Sequence, residues 1–267
     1  MRIFLLFILT VFTVIQGFGQ RTDGAIKVNV STSAYSGSLQ NGSWSPDNKF
    51  LLCTNWGGGY NKAPANVDVI DLSNYSLRKL TTDGLANCNM PGSTWNAPTN
   101  KVIFSADHTN GDQVHTMLAT GAPGSAVKIT PFTDRVCWEP GFSPSGKWIV
   151  YEAHYNSSPN NGVIEIYKAD GTQGPITLTS KTADCRQPSW SPKGDKICYQ
   201  RVISNAWDCW TMDTTGTNQI NRTSSDAGDQ TDVSFSPDGQ WIIFSTDLTT
   251  LNNANVYVKN LNTNQLV

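Results

Sequence analysis

Short, almost wholly apolar runs recur along the chain at wide, nearly even intervals, separated by polar stretches. The clearest are Phe50 to Cys53, Val102 to Phe104, Trp148 to Tyr151, Ile197 to Tyr199 and Trp241 to Phe244. Runs this short, rich in aromatic and β-branched residues and bounded by turn residues, predict strands packed on both faces. A tight turn precedes most of them. Pro46, Pro144, Pro192 and Pro237 fix φ at its start, and Asn48, Gly146, Gly194 and Gly239 give conformational freedom at its far side, so each unit reads as a hairpin. After a variable polar loop comes a third strand, covering Val67 to Ile70, Val114 to Met117, Val163 to Tyr167, Trp207 to Trp210 and Val256 to Val258. Most of these alternate in and out. A fourth, weaker segment runs through Leu77 to Leu80, Val127 to Ile129, Ile176 to Leu178 and Gln219 to Asn221.

Aligned, the units are copies of one repeat: SWSPDNKFLLC from Ser43, TWNAPTNKVIF from Thr94, GFSPSGKWIVY from Gly141, SWSPKGDKICY from Ser189 and SFSPDGQWIIF from Ser234. Their aromatic anchors, Trp44, Trp95, Phe142, Trp190 and Phe235, are spaced by 51, 47, 48 and 45 residues. Each anchor is expected to end a first strand and to face the blade interior. Four strands per repeat at this period predict an all-β fold, a β-propeller of four-stranded blades. Five repeats are visible, and the ring is five- or six-bladed. Ile26 to Val30 resembles a fourth strand and is a candidate outer strand for the last blade, while Gln265 to Val267 begin a strand in the same place. A five-bladed ring closed by the N-terminal segment and a chain cut before a further blade both fit this pattern.

The leading segment stands outside the repeat. Arg2 followed by the apolar run Ile3 to Ile15 reads as a signal peptide, too short to span a bilayer, with Gly17 and Gly19 before a cut after Gly19. Residues 1-19 are therefore assigned to the leader and 20-267 to the propeller, with no membrane span after cleavage and a periplasmic or secreted location. Composition agrees with the strand pattern, since Gly, Asn, Thr, Ser and Trp are abundant and helix formers sparse. A formal net charge of -2 with scattered Lys and Arg excludes a basic patch, and with it nucleic acid as the expected partner. Cys53, Cys88, Cys137, Cys185, Cys198 and Cys209 lack the CxxC pairs of structural zinc sites, so no metal or other cofactor is expected. Disulfides are open to them in an exported chain. Cys137 and Cys185, five residues before their anchors, are candidates to cluster with Cys88 near a channel mouth, and Cys198 and Cys209 for a cross-strand contact.

The motif Trp/Phe-Ser-Pro-x-Gly resembles that of TolB-like propellers, best in SWSPDN at Ser43 and SFSPDG at Ser234. The likeness covers roughly residues 36-267; the second repeat departs from it at Asn96-Ala97-Pro98. It implies a scaffold and mostly binding roles, with ligands on the face where the loops before the first strand and between the second and third strands open around the channel. On that face fall Asn41, Glu139, Gln187 and Asp232, three residues before their anchors, with Trp138 and Arg186 just before two of these, and His108 and His154 from the intervening loops. Trp56, Tyr60, Asp107, Tyr155, Arg201, Trp207 and Asp247 join them. Aromatic faces beside amides and carboxylates suit a glycan, a peptide or an envelope protein. The expected function is a ligand-binding or protein-interaction scaffold. The alternative is a propeller-type polysaccharide lyase or glycoside hydrolase, with Glu139 or Asp232 as acid or base and His154 as partner.

Overall fold

A computed structural model of the chain describes residues 38–59, 62–81, 94–106, 111–224, 226–246 and 255–267. The leader, the segment Ile26 to Val30, Tyr60, Cys88, Asp107, His108 and Asp247 lie outside the described residues.

The repeat folds as five antiparallel sheets taken in chain order round a propeller. Blade 1 is β1 (Ser38–Trp44), β2 (Phe50–Trp56), β3 (Ala65–Asp71) and β4 (Leu77–Lys79). Blade 2 is β5 (Trp95–Asn96), β6 (Lys101–Ala106), β7 (Gln113–Leu118) and β8 (Val127–Lys128). Blade 3 is β9 (Arg135–Phe142), β10 (Trp148–Tyr155), β11 (Gly162–Lys168) and β12 (Ile176–Thr177). Blade 4 is β13 (Cys185–Trp190), β14 (Lys196–Ile203), β15 (Ala206–Asp213) and β16 (Ile220–Asn221). Blade 5 holds β17 (Gln230–Phe235), β18 (Trp241–Thr246) and β19 (Asn255–Asn260). First strands of neighbouring blades touch, β9 to β13 and β13 to β17, which places them innermost.

Packing explains the apolar second strands. Along β10, Ile149, Tyr151 and Ala153 face blade 2 and Val150 faces blade 4; along β14, Ile197 and Tyr199 face blade 3 and Cys198 faces blade 5. Both pleat faces are thus buried between sheets, and the polar-apolar alternation of a half-exposed strand is lost. β18 departs from this. Its Ile242 and Phe244 pack on blade 4, but Ile243 is 41% exposed. The anchors also differ: Phe142 and Trp190 are buried, Trp95 and Phe235 half-buried, and Trp44 is 60% exposed, against the expectation that every anchor faces inward.

Side-chain oxygens tie the blades locally. The motif serine accepts backbone N–H groups from the start of the second strand: Phe50 to Ser45 (2.9 Å), Trp148 to Ser143 (3.1 Å), Lys196 to Ser191 (3.0 Å) and Trp241 to Ser236 (3.0 Å). In blade 2, Asn96 replaces it, accepting from Thr99 N (3.1 Å) and donating to the Ser143 (3.2 Å) and Pro144 (3.3 Å) carbonyls of the next blade. The departing repeat therefore keeps its turn. Asn48, Asn100, Gly146, Gly194 and Gly239 all have φ between 49° and 72° at the turn's far side, the left-handed region that the motif reserves for them.

A threonine past each fourth strand accepts a third-strand N–H: Val67 to Thr81 (2.9 Å), Val114 to Thr130 (2.8 Å), Ile164 to Thr179 (2.9 Å) and Cys209 to Thr223 (2.9 Å). In blade 5 the fourth-strand place is taken by the chain's own end. Val267 exchanges both backbone hydrogen bonds with Val258 (2.9 Å each), and Asn260 N donates to Gln265 O (2.8 Å). Of the two candidates for that place, Gln265 to Val267 pairs there; Ile26 to Val30 lies outside the described residues.

The expected cysteine cluster is corrected. Cys137 and Cys185 lie in two different interblade cores instead of clustering at the mouth, whereas Cys198 and Cys209 share one core as diagonal neighbours on adjoining strands, Cys198 opposing Thr211. All five described thiols are buried and free. Burial pushes their pKa values up, to about 11 for Cys185 and about 12 for Cys53, so they are packing residues and not thiolate nucleophiles.

Candidate functional site

The innermost strands of blades 1, 3, 4 and 5 are each broken at one place. Pairing with the second strand slips between Gln40 and Ser43 in blade 1, Trp138 and Gly141 in blade 3, Arg186 and Ser189 in blade 4, and Thr231 and Ser234 in blade 5. Such a bulge bends the strand and re-aims side chains that strict alternation would place elsewhere. Inside it sit Asn41, Glu139, Gln187 and Asp232, with φ of 54°, 51°, 50° and 55°. Asn and Asp tolerate this region, but Glu and Gln are held there at a cost of about 1–3 kcal/mol each.

Neighbouring blades hold these bulges in place. Gln187 N donates to Glu152 Oε2 on β10 of the preceding blade, at 2.7 Å. Asp232 N donates to Gln200 Oε1 on β14 (3.1 Å) and to Gln187 Oε1 (3.2 Å). Glu152 and Gln200 share one repeat position, ten residues after the anchor, where the other blades carry Thr54, Ser105 and Ser245. This polar interruption of an apolar strand, at one offset in every repeat, is the signal that sequence reasoning overlooked.

His154 closes the blade 3 end of the chain of contacts. Its Nε2 lies 3.0 Å from Glu152 Oε1 and its Nδ1 2.9 Å from the Pro159 carbonyl oxygen. The Pro159 carbonyl can only accept, so Nδ1 carries a proton, and against a Glu152 carboxylate Nε2 donates as well, which makes the ring an imidazolium. Burial opposes the charge, but the Glu152 carboxylate and the Pro159 carbonyl outweigh it and raise the histidine above its ordinary pKa. The Trp138 ring leans on His154 with centroids 4.6 Å apart, and Trp138 Nε1 donates to Asp112.

Arg186 is turned sideways from the bulge beside it. Its Nε and Nη2 donate to the two Asp184 oxygens (2.8 and 2.9 Å), its guanidinium lies 5.3 Å from the Trp207 ring centre, and Asp184 also accepts Gly162 N at 2.8 Å. The Asp184 carboxylate raises its pKa, so its charge is fixed. The described candidates thus fall into two groups. Trp138, Glu139, His154, Arg186, Gln187 and Asp232 gather on blades 3 to 5, whereas Asn41 occupies the equivalent bulge of blade 1. Asn41 and Asp232 are exposed, Trp138, Glu139, Arg186 and Gln187 half-buried, and His154 buried.

A second polar cluster was not foreseen. Glu165, fully buried in β11, accepts from Arg135 Nη1 (2.9 and 3.0 Å), Tyr151 (3.0 Å), Thr177 (3.2 Å) and Tyr155. Burial and the carboxylate push the Tyr155 phenol up to about 12, so it stays a donor. A cavity of about 390 Å³ lies at the other end of blades 3 and 4, between Pro144, Trp148, Ile166, Trp190 and Lys193 at the hairpin turns. It contains none of the bulge residues.

No protein-family model matches the chain. Its fold is that of solved TolB propellers. It is 19% identical to the TolB assigned in Agrobacterium tumefaciens, with a TM-score of 0.71 over 86% of this chain and 79% of that one. For TolB from Acinetobacter baumannii the identity is 18% and the TM-score 0.65, over 84% of this chain and 52% of that one. An oligogalacturonate lyase in complex with manganese is 14% identical, with a TM-score of 0.60 over 85% of this chain and 63% of that one.

Proposed function

We propose that the chain is an exported binding propeller that holds a partner protein, a peptide or a glycan at the channel mouth, through Asn41, Trp138, Glu139, His154, Arg186, Gln187 and Asp232, with His108 as a further candidate. The observation that carries this reading is the row of left-handed bulges. Four non-glycine residues occupy one strained position in four blades. Strain of this kind persists where the surroundings over-determine it, and it collects at ligand-binding positions. Polar side chains held this way lose little entropy on binding, which favours recognition. The fold likeness to TolB propellers is compatible with a protein-interaction scaffold, and the leader-like residues 1-19 support a periplasmic or secreted location.

The contacts of His154 argue against its serving as a general base. A ring that donates from both nitrogens to Glu152 and Pro159 has no lone pair with which to take a proton. The lyase or hydrolase reading keeps one support, the fold shared with the manganese-bound oligogalacturonate lyase. Among the described residues no three His, Cys, Asp or Glu side chains gather in a metal-binding group. A glycan panel assayed for both retention and cleavage tests the choice. Retention without new chain ends is expected; new unsaturated or reducing ends that vanish in Glu139→Ala or His154→Ala would replace the binding reading with the enzymatic one.

A further inference from the structure

We propose that the channel mouth carries a proton switch, in which doubly protonated His154 holds Glu152 on the Gln187 bulge and loss of one proton releases it. Three links build the switch. The Glu152 carboxylate divides its oxygens, Oε1 facing His154 Nε2 at 3.0 Å and Oε2 accepting Gln187 N at 2.7 Å. The carboxylate is therefore shared between the imidazolium of one blade and the strained backbone of the next. Gln187 in turn accepts Asp232 N at 3.2 Å, which carries the arrangement into blade 5.

Deprotonation breaks this by donor count. A neutral imidazole has one N–H for two acceptors, so either Pro159 O or Glu152 Oε1 is left facing a lone pair. With Nδ1–H kept on the Pro159 carbonyl, the buried Glu152 Oε1 faces the bare Nε2 and is repelled by its lone pair, so the ring or the carboxylate must turn. Because Gln187 is held at φ 50° by that carboxylate, a turned Glu152 leaves the bulge without its clamp.

The charged surroundings leave His154 as the titrating group. Beside it on β10 is Glu152; from β9 comes the uncharged Trp138, bonded to Asp112; from β13 comes Arg186, bonded to Asp184; from β11 comes only the backbone of Gly162. Arg186 opposes the imidazolium charge, but is itself neutralised by Asp184. Among the described residues, His115 is the other imidazole, and it lies in blade 2 stacked on Phe104 at 5.9 Å. The sign follows from the raised histidine. The clamp is complete below the ordinary histidine pKa of about 6.5 and is lost as pH rises through the higher folded-state value.

That the switch alters ligand affinity rests on the proposed binding role of the mouth; the switch itself does not, and is tested on the free chain. NMR of the 15N-labelled protein, from about pH 5 to about pH 9 around the ordinary histidine value, follows the Gln187 amide and the His154 ring together. Both are expected to move with one midpoint, and Gln187 exchange protection to be lost as pH rises through it. In His154→Gln the Gln187 amide should no longer titrate. Glu152→Gln serves if that variant does not fold: the carboxamide still accepts from Gln187, while the His154 midpoint drops and its coupling to the amide weakens. A Gln187 amide that stays flat through the His154 transition, or that titrates unchanged in His154→Gln, overturns the switch and leaves the binding reading standing. Loss of ligand retention without change in this titration would do the reverse.

Discussion

At Glu139 a long side chain occupies φ 51°, a conformation that glycine adopts without penalty. Replacing it with glycine separates strain from function. Glu139→Gly is expected to keep or raise stability by up to about 1 kcal/mol in urea unfolding, while ligand retention falls. A loss of stability would show that the position serves folding. Glu165 makes the opposite case, since its carboxylate answers Arg135 inside a sheet. Glu165→Leu alone should cost about 1–3 kcal/mol, because Arg135 keeps its pair with Asp134 while the buried Tyr151 hydroxyl and Arg135 Nη1 lose their carboxylate acceptor, and Arg135→Met with Glu165→Leu should recover part of that. Sequence reasoning found Glu139, Gln187 and Asp232 because a fixed offset from the anchor survives in every repeat. It passed over Glu152 and Gln200, although their offset is equally regular, because a polar residue inside a buried strand reads as noise until its partner in the next blade is known.

Blades owe their strand number and order to features that the chain displays openly. A proline four or five positions and a left-handed residue two or three positions ahead of an apolar run specify a hairpin from local chemistry alone, and all five hairpins formed. The fourth strands were harder. They are two or three residues long and carry little apolar signal; what fastens them is a threonine hydroxyl beyond their end. Thr179→Val keeps the shape but strands the buried Ile164 N–H, at a cost of about 1–3 kcal/mol. Hydrogen exchange should locate the loss at β11 and β12; a uniform loss over all blades would contradict the latch. Anchor burial was the least legible element property. Trp44 and Trp190 stand at the same place in near-identical motifs, yet Trp44 is 60% exposed and Trp190 6%. The difference is made by what packs against each blade, which no local pattern records.

Round the whole molecule, the interblade cores turn a repeated local motif into a row of converging first strands, and convergence brings residues nearly fifty positions apart into one mouth. Gln187 and Asp232 are separated by 45 residues and are joined by a hydrogen bond. Proximity of this kind is a property of the ring and is visible in the sequence only through the repeat period. The chain's own end lies in the fourth-strand place of blade 5, paired with β19, while Ile243 and Val256 on that blade stay exposed at 41% and 68%. The proposed binding site is the set of bulge residues at the mouth. It is tested most directly by selecting peptides from a displayed random library on the unaltered chain and measuring their equilibrium affinity for Glu139→Ala/Gln187→Ala/Asp232→Ala. If the mouth is the site, the triple variant keeps its fold and loses at least about tenfold in affinity, roughly 1.4 kcal/mol. Equal affinity for a folded triple variant would contradict it.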